Sequence, residues 1–259
     1  MLGVIAGDVI GSVYERDSTK SVDFPLFDDA CRFTDDTVMT VATARAILEG
    51  VPYERVYRVL GRRYPAAGYG ASFYSWLFSD DPRPYNSWGN GSAMRVAPVG
   101  FAFDTVDDVL REAERSAAVT HDHPEGVKGA QSTALAVYLA RSGASKDEIR
   151  TELTRRFGYD LDRTVEQIRL HYDFDVSCQG SVPESIIAFL DSESLEHAIR
   201  MAISLGGDSD TQAAIAGGIA HAFYRHIPEP IERGVRRVLP AEFIETIDAF
   251  ERAYPLQPR

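Results

Sequence analysis

Two short acidic runs at opposite ends of the chain hold the residue types best suited to chemistry. They are Thr34-Asp35-Asp36-Thr37 and Gly206-Gly207-Asp208-Ser209-Asp210-Thr211. Each gathers carboxylates and hydroxyls without a basic residue beside them. Carboxylates brought together repel one another unless cations lie between them. Oxygen ligands of this kind suit hard divalent cations such as Mg²⁺ or Mn²⁺. Read together, the runs predict a two-metal site assembled from sequence-distant halves. The alternative is a pair of solvated helix N-termini with Asp and Thr as caps.

Three further runs bear on the same chemistry. In Gly7-Asp8-Val9-Ile10-Gly11-Ser12-Val13-Tyr14-Glu15, a helix ends near Gly11 and delivers Glu15 on the following loop. In Gly89-Asn90-Gly91-Ser92-Ala93-Met94-Arg95, a small-residue turn ahead of a helical stretch can present backbone N–H groups to an anion. Such a run also makes a plain turn. Thr120-His121-Asp122-His123-Pro124 offers a His-x-His pair, but no Cys or third His stands nearby to complete a tetrahedral zinc set.

The elements that must position these runs read as helices. The pattern predicts helices over Thr37–Leu48, Val106–Thr120, Gly126–Arg141, Lys146–Phe157, Val182–Leu190, Leu195–Leu205, Thr211–His226 and Pro240–Tyr254. No alternating run is long enough to demand a sheet, so the expected fold is all-α. Gly3, Gly7 and Gly11 recur on one helical face, and Ala213, Ala214, Ala216, Gly217, Gly218 and Ala220 crowd another helix. Small residues let backbones approach, at about 1 kcal/mol of helix propensity per Gly. Pro65–Trp88, rich in aromatics and broken by Pro82 and Pro84, reads as a loop-rich segment over the site. With no repeat or linker, residues 1–259 are expected to form a single domain.

Composition narrows the function. A net charge of −12 argues against non-specific binding to nucleic acid or anionic membranes. It also means that an anionic ligand needs metals or backbone N–H groups to supply positive potential. No stretch approaches a membrane span. The N-terminal residues lack the basic region of a secretory signal, and two cysteines make no disulfide framework, so a cytoplasmic protein is expected.

Taken in order, the motifs resemble those of the ADP-ribosylglycohydrolase family. The matching pieces are Gly7-Asp8-x-x-Gly11-x-x-x-Glu15, Thr34-Asp35-Asp36-Thr37, Gly89-Asn90-Gly91-Ser92-Ala93-Met94-Arg95, Thr120-His121 and Gly207-Asp208-Ser209-Asp210-Thr211. The resemblance runs from about Leu2 to about Arg225. It implies an all-α, single compact multi-helix domain with two central Mg²⁺ (or Mn²⁺) ions. By resemblance, Thr34, Asp35, Asp36 and Asp210 hold one ion, and Asp35 or Asp36 with Asp208, Asp210 and Thr211 holds the other. Ser209 faces away. Glu15 lies over the metals as the residue that assists proton transfer, beside Asp35 and Asp36 as catalytic carboxylates. Gly89, Asn90, Gly91 and Ser92 meet a diphosphate, with Met94 part of that substrate-binding run. His121 lies along the ribose-phosphate, and Ser181 belongs to a further substrate loop. Tyr85 and Trp88 are adenine-stacking candidates, with hydrophobic core as the favoured role of each.

The implied activity is metal-dependent hydrolysis of the glycosidic bond at C1″ of ADP-ribose, freeing it from a modified protein or small molecule. The acceptor stays open among arginine, serine, a nucleobase and an O-acetyl group. The alternatives are a non-catalytic ADP-ribose-binding protein and a hydrolase of small derivatives such as O-acetyl-ADP-ribose.

Overall fold

Helices succeed one another along the described residues, 1–256, of the computed structural model. In order they are α1 (Leu2–Gly11), α2 (Asp35–Glu49), α3 (Tyr53–Arg63), α4 (Ala71–Phe78), α5 (Gly91–Met94), α6 (Ala97–Ala102), α7 (Val106–Ala118) and α8 (Pro124–Arg141). There follow α9 (Lys146–Phe157), α10 (Val165–Arg169), α11 (Cys178–Leu190), α12 (Leu195–Ile203), α13 (Ser209–Tyr224), α14 (Glu229–Val238) and α15 (Ala241–Ala253). No β-strand occurs among the described residues. One isolated antiparallel bridge joins Gly89 to Ser177. The fold is all-α, as expected, in a single compact domain.

The small residues explain its centre. Every residue of α1 is buried, and so are the residues of α13 from Ser209 to Ala222. A helix apolar on all sides belongs inside a fold. The two lie antiparallel and backbone to backbone. A Cβ on Gly3 would come within 2.3 Å of the Gly217 carbonyl oxygen, and one on Gly7 within 2.0 Å of the Ala213 carbonyl oxygen. A Cβ on Gly11 would lie 2.6 Å from the Asp210 Cα. Only glycine permits this approach. It brings the C-terminal end of α1 against the N-terminal end of α13, where the second acidic run lies.

Four stretches differ from the sequence reading. Pro65–Trp88 is not loop throughout, because α4 crosses it. Phe73, Trp76 and Leu77 are buried there, and Gly61 of α3 makes room for Leu77. Helices α3 and α14 were not expected. Each follows a proline at its N-cap and buries a narrow stripe: Val56, Tyr57 and Leu60 in α3, Ile231 and Val235 in α14. Finally, α11 starts at Cys178, a turn before Val182, where Ser177 caps it by accepting the Gly180 N–H, and it carries Pro183 inside the helix. No helix among the described residues is long and apolar enough to cross a membrane.

Candidate metal centre and ligand cavity

The two acidic runs meet. Asp36 stands in the first turn of α2 and Asp210 in the first turn of α13, and both are buried. They are joined by Asp8 from inside α1, which carried no role in the sequence reading. Oxygens of Asp8, Asp36 and Asp210 all lie within 4.8 Å of one another. Asp8 is saturated with donors. It accepts the N–H of Thr34 at 2.9 Å, the Thr34 hydroxyl at 2.7 Å, the N–H of Thr37 at 3.0 Å and the Thr37 hydroxyl. It thereby fixes the first turn of α2 to α1. Its signal in the sequence was a lone Asp in an otherwise apolar, Gly-rich helix, a position that is stable only with partners.

Capping does not account for the rest. The Thr34 hydroxyl does cap α2, accepting the Asp36 N–H at 3.3 Å. Asp208 occupies the N-cap of α13 but makes no side-chain cap bond. Its Oδ2 instead accepts the Asn90 side-chain amide at 2.7 Å. Thr211 donates to Asp36 Oδ2 at 3.2 Å, while Asp36 Oδ1 is buried without a hydrogen-bond partner. None of Asp8, Asp35, Asp36, Asp208 and Asp210 is ion-paired with Lys or Arg among the described residues.

The electrostatic consequence is uniform. Burial, and then the Asp210 charge, push the Asp8 carboxyl up to about 7. The same causes in the same order raise Asp35, Asp36 and Asp208 well above the usual carboxylate range. Such a cluster ionises at neutral pH only if a cation compensates it. An orphaned carboxylate oxygen, oxygen-only donors and no ion-paired Lys or Arg among the described residues fit a hard divalent metal. The buried triad could hold one.

Above the cluster opens a cavity of about 790 Å³, within the range of small-molecule sites. Thr34, Asp35, Asp36, Asp208, Asp210, Thr211, Glu15, Gly89, Asn90, Gly91, Met94 and His121 all line it. Glu15 is half-buried in its wall. Burial first, and Asp210 second, raise its carboxyl. His121 is buried, and burial followed by the Arg95 charge holds its ring well below the usual histidine range, hence neutral.

Two expected substrate residues do not reach the cavity with their side chains. Ser92 is fully buried and donates to the Gly126 carbonyl at 2.7 Å. Ser181 is fully buried, donates to the Ser177 carbonyl at 2.6 Å and accepts from the Asn90 amide at 3.2 Å. Both brace the wall from behind. The Gly-rich run also uses two of its own N–H groups: Gly89 donates to Ser87 Oγ and Asn90 to the Val176 carbonyl. That leaves Gly91 and Ser92, in the first turn of α5, where a helix leaves N–H groups without internal partners. Ser209 turns to α1, donating to the Gly11 carbonyl at 3.2 Å.

The His-x-His pair splits. His121 enters the cavity, whereas His123 caps α8 by accepting the Glu125 N–H. Asp122 accepts the Asn86 N–H at 2.7 Å and steadies the loop before Trp88. Trp88 is not core. It is 52% exposed at the cavity rim, which Phe174 and Val176 also line, and its ring lies 5.6 Å from that of His123, on the loop that the Gly89–Ser177 bridge holds at the surface. Tyr85 is half-buried in the wall beside His121.

Gly91 needs no left-handed backbone. Its constraint is space: a Cβ there would meet His121 Nε2 at 3.2 Å. Gly91→Val is expected to weaken ADP-ribose binding by at least about tenfold, roughly one lost charge-assisted hydrogen bond. Metal binding without ligand should stay within about twofold, because no cluster carboxylate is touched. Paired titrations on folded protein check this, and wild-type ADP-ribose affinity would remove the turn from the binding site.

Comparison with known proteins accords with this geometry. A family model described as ADP-ribosylglycohydrolase matches residues 1–257. The chain is 28% identical to the ADP-ribosylhydrolase ARH3 of Mus musculus, covering 88% of this chain and 84% of that one. It is 27% identical to the ADP-ribosylarginine hydrolase Tri1 of Pseudomonas putida, covering 98% of this chain and 77% of that protein. Among solved structures, one titled "ADP-ribosylglycohydrolase-related protein complex" superposes with a TM-score of 0.74 at 26% identity, covering 98% of this chain and 95% of the other. The acidic motifs, the helical fold that joins them and the match over nearly every residue lead to one conclusion: this chain belongs to the ADP-ribosylglycohydrolase family.

Proposed function

We propose that this protein is a divalent-metal-dependent hydrolase that cleaves the C1″ glycosidic bond of an ADP-ribosylated protein or small molecule. The carrying observation is the buried carboxylate cluster, without a Lys or Arg ion pair among the described residues, at the base of a cavity whose wall holds Glu15 and His121. Thr34, Asp35, Asp36, Asp208, Asp210 and Thr211 would hold two Mg²⁺ or Mn²⁺ ions, with Asp8 fixing α2 beneath them. Bound there, the metals would supply a fixed anchor for the distal ribose and a water of lowered pKa.

The remaining work belongs to the chain. The carboxylates stabilise the oxocarbenium-like charge that develops at C1″. Glu15, whose carboxyl burial and the Asp210 charge raise from its ordinary value, exchanges the proton with water or the leaving group. The Gly91 N–H and the His121 ring, both in the cavity lining, meet the diphosphate, which explains how so acidic a protein takes an anionic ligand. Asn90 ties this turn to Asp208, so phosphate and ribose subsites share one rigid brace. Trp88 and Phe174 offer apolar faces at the rim for the base.

The test is release of free ADP-ribose, read by mass spectrometry, from ADP-ribosylated arginine, serine, nucleobase and O-acetyl substrates. Release from one or more acceptors is expected. Tight ADP-ribose binding without release from any would instead favour a non-catalytic binder.

A further inference from the structure

Arg95 is an oddity among the buried residues. It has no solvent exposure and no carboxylate partner among the described residues, yet it must carry its charge. Its guanidinium stacks 4.4 Å from the Tyr57 ring centroid and 5.7 Å from that of Phe73. Its Nη2 donates to the Ser116 carbonyl and to Thr120 Oγ1, each at 3.0 Å. Both hydrogens of that nitrogen are therefore committed.

Thr120 is itself fully buried. Its oxygen receives the Arg95 hydrogen, so its own proton must go elsewhere. Two groups neighbour that hydroxyl, the Tyr85 phenol and His121 Nδ1, and the ring nitrogen lies at 2.7 Å. An imidazole that accepts at Nδ1 and is neutral carries its proton on Nε2. Nε2 is the ring atom that lies 3.2 Å from where a Gly91 Cβ would be, beside the Gly-rich turn of the cavity.

We propose that Arg95 and Thr120 are positioning residues that set the His121 tautomer, holding Nε2–H as a fixed neutral donor toward the cavity. The direction of the chain comes from its origin, since a guanidinium donates and never accepts. Neutrality follows from burial and from the Arg95 charge, which both disfavour the imidazolium. The consequence is a pre-aimed N–H for an anionic group at the turn, with no proton to rearrange on binding. The tautomer is a property of the free protein. Only its use by ADP-ribose rests on the proposed function.

The experiment is ¹⁵N NMR of histidine-labelled, ligand-free protein, with the His121 signals assigned by difference against His121→Gln. Wild type is expected to show the Nε2–H tautomer of His121. Thr120→Ser should keep it. Thr120→Val removes the donor to Nδ1, and Arg95→Met frees Thr120 to accept from the ring, so each should give a mixed or Nδ1–H population. ADP-ribose affinity at saturating Mg²⁺ should fall about tenfold in Thr120→Val and recover in Thr120→Ser, the size of one hydrogen bond to a charged group. An Nδ1–H tautomer in wild type, or an unchanged tautomer in folded Thr120→Val, overturns the proposal. Tyr85, whose hydroxyl also neighbours Thr120, is the control: an Nε2–H preference lost in Tyr85→Phe and kept in Thr120→Val would assign the role to Tyr85 and overturn it too. Failure of wild type to bind ADP-ribose, with the tautomer as expected, would strike the function rather than the relay.

Discussion

Asp210→Ala is expected to bind Mg²⁺ or Mn²⁺ more than about 100-fold more weakly than wild type, since changes one layer behind a metal already cost 10–100-fold. Turnover should fall at least about a thousandfold, as several kcal/mol of metal-derived stabilisation is lost. Asp122→Ala, which loses only the bond to the Asn86 N–H, should stay within about threefold on both measures. The same substitution has an opposite effect on the metal-free fold. Asp210 is the leading charge behind the raised carboxyls of Asp8, Asp35, Asp36 and Asp208. From about pH 4, the unfolded carboxylate value, up through about 7, where Asp8 titrates in the fold, the folded protein holds more protons than the unfolded chain. Stability of the metal-free form therefore falls as pH rises through that window. Asp210→Ala should flatten this fall and raise the metal-free Tm near neutral pH, while abolishing the rise in Tm that metal gives wild type. Calorimetric titrations and melts at several pH values check each part. Equal losses in Asp210→Ala and Asp122→Ala would show that the acidic residues are wrongly sorted.

Glu15→Gln should lower kcat by about 10²–10⁴-fold, the usual contribution of a positioned acid or base. ADP-ribose affinity should change by less than about threefold, because the amide keeps the shape and most of the hydrogen bonding of the carboxyl. The two quantities separate the roles available to a half-buried carboxylate in the cavity wall. A fall in affinity as large as the fall in rate would make Glu15 a residue that orders the metals or the ligand.

Much of the site was legible because its chemistry is concentrated in short runs. Thr34-Asp35-Asp36 and Asp208-Ser209-Asp210-Thr211 are conspicuous as clusters, and the structure brings both to one cavity. Asp8 was not, since a single carboxylate between apolar neighbours shows no partners until Thr34 and Thr37 are placed on it in three dimensions. Ser92 and Ser181 show the converse. They stand within or near the right motifs, but burial turns their hydroxyls to Gly126 and Ser177. Among the helices, the Ala- and Leu-rich ones were read from periodicity. Helix α4 was hidden because its Phe73, Tyr74, Trp76 and Phe78 have modest helix propensity, and packing on α3 decides the outcome. Trp88 was misplaced for a similar reason, since a two-residue bridge, invisible in the sequence, holds its loop at the surface.

The Asp8–Asp36–Asp210 cluster is proposed as the base of a divalent-cation site that grips the distal ribose of ADP-ribose. Anomalous diffraction from crystals grown with Mn²⁺ and ADP-ribose tests it most directly. Two Mn²⁺ peaks about 4 Å apart are expected, ligated by oxygens of Asp36 and Asp210 and by the distal ribose hydroxyls, with the diphosphate against Gly91 and His121. Absence of Mn²⁺ from the cluster, or ADP-ribose seated with its ribose elsewhere, would contradict it.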